Sequence, residues 1–228
     1  MRKIVFATYG SSPALQHARN QLESWGYAFT QDLQQATDIL LPIPSGNFAD
    51  QLPQLPPSAT VFGGNLSGLE HKKVDLLQDT YYLIENAAIT AQCALHYADI
   101  RPGTAVLVIG WGRIGKHLSV LLSQMGAQVT VAVRKTSDYC ALAANDMEAV
   151  YLSDLNPMRY SVIFNTAPAE LLQQTDCRED ATLIDLASVK GITGDRVIWA
   201  RGLPGKDAPE LSGTLIAKTV LRYALGKE

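Results

Sequence analysis

The sequence predicts an α/β chain in two doubly wound parts joined by one long helix, and three observations predict it. Residues 104–134, TAVLVIGWGRIGKHLSVLLSQMGAQVTVAVR, run from an apolar strand through Gly110-x-Gly112-x-x-Gly115 into an amphipathic helix and out along a second β-branched strand. Short apolar runs ending in Gly, Pro and polar residues recur on both sides of that stretch, the rhythm of parallel strands with helical crossovers. Between the two parts, residues 80–98 place Ala87, Ala88, Ala91, Ala94 and Ala98 on a helical pattern free of Gly and Pro. The larger part therefore reads as a Rossmann dinucleotide-binding domain and the smaller as a flavodoxin-like α/β domain.

Taken in order, Lys3–Thr8 is an apolar strand, and Ser11 or Ser12 with Pro13 opens a helix to about Trp25. Thr37–Ile43 reads as a strand ending in Pro44-Ser45-Gly46-Asn47. A proline-bearing stretch leads to a strand at Ala59–Phe62 and the turn Gly63-Gly64-Asn65. Residues 1–80 thus form the smaller, substrate-side domain and 81–100 the linking helix. Residues 101–208 form the dinucleotide domain, with strands over Val150–Leu152, Tyr160–Phe164, Thr182–Leu186 and Val197–Ala200. A last helix, Pro209–Leu225, spaces Leu211, Leu215, Ile216, Val220 and Leu221 helically and is expected to pack back on the first domain.

The glycine turn carries a chemical expectation. Gly110 allows the tight turn, Gly112 lets a pyrophosphate approach the backbone, and Gly115 lets the helix pack close to the sheet. The pyrophosphate then rests on free N–H groups at the helix start, so Gly110, Trp111, Gly112, Arg113, Ile114 and Gly115 are cofactor candidates. The second strand ends in Arg134-Lys135-Thr136-Ser137, with no acid before Asp138. An acid there would take ribose hydroxyls and repel a 2′-phosphate; Arg134, Lys135 and Ser137 instead suit one. NADP is therefore expected over NAD, against the alternative of a solvated helix start.

Composition narrows the function. The 228 residues carry a net charge of −3 with no basic cluster, which speaks against nucleic acid. No apolar run has the length of a membrane span, and Met1-Arg2-Lys3 leads into a strand without a secretory core. Cys93, Cys140 and Cys177 lie far apart without metal-ligand spacing, so free thiols and a cytoplasmic chain are expected, with no metal. The four histidines sit away from strand ends, and the stretch before the last helix, GLPGKDAPE, lacks the histidine of hydroxyacid dehydrogenases.

From about Asp79 onward the chain resembles the NADP-binding subunit of dipicolinate synthase. The resemblance runs through Asn86, Thr90-Ala91, GWGRIG, Asn165-Thr166-x-Pro168, Asp185-Leu186-Ala187-Ser188 and Gly202-Leu203-Pro204-Gly205-Lys206 with Ala208-Pro209; upstream, Leu41-Pro42 and Ser45-Gly46 are similar to the family's substrate loop. It implies an NADP-dependent oxidation in which hydroxytetrahydrodipicolinate loses water and then hydride to give pyridine-2,6-dicarboxylate. It also implies a flavoprotein-like second subunit, as in spore-forming bacteria (sporulation, dipicolinic acid biosynthesis). The chain departs from the family in a shortened first domain and in Ile89-Thr90-Ala91-Gln92-Cys93, where the family has Pro-Thr-Ala-Glu-Gly.

Candidate residues follow. A dicarboxylate needs cations or N–H donors at both ends, and Lys190, Arg201 and Lys206 follow strand ends. Ser188, Asn165 and Thr90 are candidates to orient the ring or the nicotinamide carboxamide, and Pro168, after Thr166 and Ala167, to wall the nicotinamide. Lys206, Thr90 and Ser188 are taken as the catalytic set. Asp185 is counted with the cofactor-binding residues and is read either as the base or as a structural carboxylate capping nearby N–H groups. Ser45, Gly46 and Asn47 form either an anion nest or a plain turn; Asn86, Pro204 and Gly205 join the substrate side through the resemblance. The alanine-rich helix invites a homo-oligomer contact or serves as an intrachain hinge. The alternatives are a divergent dehydrogenase with another substrate, and a non-catalytic dinucleotide-binding protein or sensor.

Overall fold

The computed structural model describes residues 3–226. They divide into two compact units: one runs up to Ile89 and resumes at Pro204, the other is Thr90–Leu203.

In the first unit, β1 (Val5–Thr8) leads to α1 (Pro13–Ser24), followed by β2 (Ala28–Phe29), β3 (Asp38–Leu40), β4 (Thr60–Gly63) and β5 (Lys73–Asp75). The start of α1 is fixed chemically: the Ser12 hydroxyl accepts from Leu15 N at 3.1 Å, and Pro13 occupies the first turn where its missing N–H costs nothing. All strand pairs are parallel, in the order β2-β1-β3-β4-β5, the flavodoxin-like order. Side chains alternate across the sheet as a pleat requires. Phe6, Leu40 and Phe62 enter one core, while Ala7, Ile39, Leu41 and Val61 enter the opposite one.

The strand expected over 37–43 is confined to Asp38–Leu40, and β2 and β5 were not expected. Helix α2 is Thr80–Ala94; the expected final turn to Ala98 is instead a 3₁₀ turn over Leu95–Tyr97 that ends extended at Ala98. Asp79 caps α2 by accepting from Tyr82 N at 2.6 Å.

The second unit comprises β6 (Ala105–Ile109), α3 (Arg113–Gln124), β7 (Gln128–Val133), α4 (Thr136–Ala143), β8 (Glu148–Tyr151), β9 (Val162–Asn165), β10 (Leu172–Gln173), β11 (Thr182–Asp185), β12 (Ile192–Thr193) and β13 (Ile198–Trp199). Its six-stranded parallel sheet has the order β13-β11-β9-β6-β7-β8, with β10 and β12 forming a small parallel pair. Counted from β8, the order is that of two mononucleotide-binding halves meeting between β6 and β9.

The chain then returns to the first unit through α5 (Leu203–Asp207) and α6 (Pro209–Ala224). Lys206, expected in a loop, is therefore on a short helix. Helix α6 buries Leu215, Ile216, Ala217 and Val220 against Leu15, Ala18, Leu22 and Phe6 in one core. Gly213 makes the α1–α6 approach possible: a Cβ there would lie 2.5 Å from His17 Cβ and 2.6 Å from Ala14 O. Gly213→Ala is expected to force the helices apart and to lower the stability of this unit by about 1–3 kcal/mol, as overpacking does; denaturant unfolding measures it, and an unchanged midpoint would refute the close approach. No helix among the described residues is long and apolar enough to cross a membrane.

Candidate functional site

The carboxyl ends of β6 and β7 frame a cavity of about 320 Å³ lined by Ile109–Gly112, Ala132–Lys135, Asp138, Leu152, Ala167 and Leu171. The three turn glycines are glycine for three different reasons. Gly110 has φ +99°, and a Cβ there would meet Thr166 Oγ1 at 2.8 Å. A Cβ at Gly115 would come within 2.1 Å of Gly110 O, so helix and turn touch there without a side chain between them. Gly112 caps α3 with φ −80°, ψ −169°, a conformation open to any residue, and nothing lies within 4 Å of a Cβ built on it. The protein itself does not require glycine at 112, and the space beside the helix start is open there.

Around this turn, Trp111 packs on the Val131, Val133 and Leu142 cluster, and Lys116 lies over its ring at 5.7 Å. Ile114 is half-buried, while Arg113, Arg134, Lys135 and Ser137 are exposed. Among the described residues the Arg134 and Lys135 side chains have neither an ion-pair nor a hydrogen-bond partner, although both line the cavity. Asp138, the first acid after the strand, lines it too.

The loops after β9 and β11 are tied together by a buried carboxylate. Asp185, fully buried, accepts at Oδ1 from Asn165 Nδ2 (3.1 Å) and Ala187 N (3.0 Å), and at Oδ2 from Gly191 N (2.6 Å) and Ile192 N (2.9 Å). Asn165, equally buried, also donates to Ala167 O at 3.0 Å and accepts from Ala167 N at 3.1 Å. Thr166 Oγ1 donates to Ile109 O at 2.9 Å, fastening the loop to the glycine turn. Two expected cofactor contacts are thereby corrected: the Asn165 and Asp185 side chains are spent on the protein, and Asp185 has no acceptor left for a substrate proton. The structural alternative for Asp185 is the one observed.

Thr166, Ala167 and Gly110 are brought together at one turn, with Pro168 exposed beside them. Ser188 is exposed on the loop after β11. Lys190 is not a free cation: its Nζ donates to Gly194 O at 3.1 Å. Arg201 is exposed, with its guanidinium 5.0 Å above the Trp199 ring. Sequence reasoning missed Trp199, although an aromatic at a strand end two residues before an arginine was a usable signal. It also missed Gly191, where a Cβ would lie 2.4 Å from both Ala169 O and Asn165 Nδ2.

The first unit holds most of the remaining candidates. Ser45 is buried; its N–H donates to Gly64 O, its hydroxyl donates to Pro42 O at 2.9 Å and accepts from Gly64 N at 2.9 Å. It staples the loop after β3 to the loop after β4, so the expected anion contact at Ser45 is corrected to a structural one. Gly63 fits the same staple, since a Cβ there would meet Ser45 Oγ at 2.3 Å. Gly46 (φ +52°) and Asn47 are exposed. Asn86 and Thr90 lie on α2 and are half-buried and buried; Pro204 is buried, Gly205 half-buried and Lys206 exposed. Among the described residues no group of three His, Cys, Asp or Glu side chains is arranged to hold a metal.

Fold and turn together define a two-domain α/β architecture of the dinucleotide-binding type. Transhydrogenase from Sinorhizobium meliloti shares it, with a TM-score of 0.72 at 15% identity over 98% of this chain and 94% of that one. More particularly, the chain is similar to one subunit of dipicolinate synthase. The structure of that subunit from Bacillus halodurans superposes with a TM-score of 0.82 at 21% identity, covering 97% of each chain. Its counterpart from Bacillus subtilis (strain 168) is 24% identical over 197 residues, which is 75% of this chain and 66% of that protein's length, just under two thirds. No protein-family model matches.

Proposed function

We propose that the chain is an NADP-dependent oxidoreductase that converts dihydrodipicolinate, formed by dehydration of hydroxytetrahydrodipicolinate, to pyridine-2,6-dicarboxylate. The observation that carries this reading is the pair of partnerless cations, Arg134 and Lys135, beside a helix start left open at Gly112. When bound, the dinucleotide supplies a two-electron hydride acceptor. The N–H groups at the start of α3 would hold its pyrophosphate, and Arg134, Lys135 and Ser137 its 2′-phosphate. Ala167 and Pro168 would wall the nicotinamide, with Ser188 orienting it.

Loss of the ring hydrogen as hydride leaves one proton to be shed, and aromatisation drives that loss. Asp185 is engaged by four donors, so the proton passes to water or to a weak relay such as Thr90. Lys206 and Arg201 are assigned to the substrate carboxylates. Lys206→Met with unchanged KM and kcat would remove Lys206 from the site.

The dipicolinate synthase proteins it resembles are each one subunit of that enzyme, so a flavoprotein-like second subunit belongs to the same proposal, together with a homo-oligomer. Gln92, where the dipicolinate synthase pattern has Glu, favours a second reading in which the substrate is another cyclic acid.

The test is a coupled assay with enzymatically generated hydroxytetrahydrodipicolinate, NADP or NAD, and the flavoprotein-like partner present or absent. Pyridine-2,6-dicarboxylate formed with NADP preferred is expected; cofactor reduction with other cyclic acids alone would support the second reading. Arg134→Ala with Lys135→Ala is expected to weaken NADP binding by about tenfold to a hundredfold, ~1.4–2.8 kcal/mol, and to leave NAD binding nearly unchanged. Equal losses for both cofactors, measured by calorimetry, would overturn the 2′-phosphate assignment.

A further inference from the structure

Beyond β11 and β13 lie Lys190 and Arg201, and these two cations stand in different states. Lys190 is tied to Gly194 O. Arg201 has neither an ion-pair nor a hydrogen-bond partner among the described residues, yet it is not loose: its guanidinium lies 5.0 Å above the Trp199 indole. That indole is itself anchored, since Trp199 Nε1 donates to Ala187 O at 3.2 Å. Ala187 in turn donates its N–H to Asp185 Oδ1 at 3.0 Å, and Trp199 pairs with Asp185 across β11 and β13. A fixed series of contacts therefore runs from the buried carboxylate to one exposed guanidinium.

We propose that Arg201 binds a carboxylate of a planar, ring-bearing acid, and that Trp199 is the positioning residue that holds it ready. A guanidinium lying on an aromatic ring keeps its N–H edge open, and that edge matches a carboxylate bidentately. Restricting Arg201 in advance reduces the rotamer freedom lost when the acid binds. Trp199, 45% exposed, and Val189, 57% exposed, put apolar surface on the same two strand-end loops, which suits a ring more than a solvated chain.

Strand order agrees. With the adenosine half over β7, the second half of a dinucleotide lies across β9 and β11. β13 follows next, roughly 20 Å from β7 at about 4.8 Å per strand. The inference deepens the proposed oxidation but rests on it only for the substrate being a carboxylic acid.

The test measures binding to the NADPH-loaded chain, by calorimetry, of pyridine-2,6-dicarboxylate, pyridine-2-carboxylate and the neutral dimethyl ester of the diacid. Arg201→Ala is expected to weaken the acids roughly tenfold or more and the ester hardly at all, the loss of a charge-assisted bidentate pair. Trp199→Leu is expected to cost about threefold to fivefold, with Trp199→Phe restoring part of it because a ring face remains while the tether to Ala187 O is lost. For Arg201→Ala, NADPH affinity and melting temperature serve as controls and should not move.

Those results would support the assignment even if turnover assays identify a different acid as substrate, in which case only the proposed reaction fails. Acid binding by Arg201→Ala equal to the unaltered chain, or no binding of any acid to the unaltered chain, would overturn it even if dipicolinate is formed.

Discussion

Replacing Gly112 with alanine is expected to leave the fold standing and to abolish dinucleotide binding. The backbone at 112 is extended, not left-handed, and a Cβ would project into open space. The only folding cost is the weaker helix-capping preference of alanine, below about 1 kcal/mol, so the melting temperature should fall by no more than about 4 °C for a chain of this size. A methyl group at that point would stand where a pyrophosphate must approach the N–H groups of α3, and NADP affinity should drop at least about a hundredfold, ~2.8 kcal/mol. Gly115→Ala should behave in the opposite sense. Its Cβ would press on Gly110 O at 2.1 Å, and backbone cannot yield as a flexible side chain can. The fold should loosen first, with binding lost as a consequence. Thermal melts and calorimetric NADP titrations on the two variants separate the roles. If Gly112→Ala binds NADP like the unaltered chain, the turn is an ordinary βα connection.

The contrast also shows what local sequence can carry. The glycine turn was legible because its spacing, the positive φ of Gly110 and the approach of Gly115 to Gly110 O all lie within one strand–turn–helix unit. The Ser12 cap and Pro13 were legible for the same reason. Ser45 was not, because its partner Gly64 lies nineteen residues away, and a Ser-Gly-Asn triplet reads equally well as a nest or a staple. Strands β2 and β5 were missed because two or three residues at a sheet edge leave no periodicity to detect; Lys73–Asp75 even carries charge at both ends. Helix α5 was hidden by Gly202 and Gly205, which mark a loop by composition while Leu203 and Pro204 are buried. The cations follow the same rule. Sequence placed Lys190 and Arg201 alike on the substrate side, and only tertiary partners distinguish the tethered Lys190 from the stacked Arg201.

Asp185 carries the largest expected stability effect, and its sense distinguishes a scaffold from a catalyst. In Asp185→Asn the volume is kept, but an amide nitrogen must replace one of two oxygens that each accept from two donors. Placed at Oδ2 it would face the Gly191 and Ile192 N–H groups, donor against donor; placed at Oδ1 it would face Asn165 Nδ2 and Ala187 N. Either way two buried donors lose their acceptor, at about 1–3 kcal/mol each. The total, roughly 2–6 kcal/mol, corresponds to a fall of about 8–24 °C in the transition of this unit, at about 4 °C per kcal/mol for its size. Because the same carboxylate fixes Ala187 and the loop that carries Ser188 and Lys190, dinucleotide affinity should fall with the fold. A catalytic base would give another signature: a melt and an NADP affinity like those of the unaltered chain, with turnover alone removed. Calorimetric melting of Asp185→Asn beside its NADP titration therefore decides between the two, and an unchanged transition would overturn the scaffold assignment. Gly191 sharpens the expectation. Its Cα lies against Asn165 Nδ2 and Ala169 O so closely that a Cβ would sit 2.4 Å from each, so Gly191→Ala should disturb the same junction without touching any charge. If both variants shift the same transition in the same direction, the buried carboxylate acts by holding the loops after β9 and β11 together and not by accepting a proton.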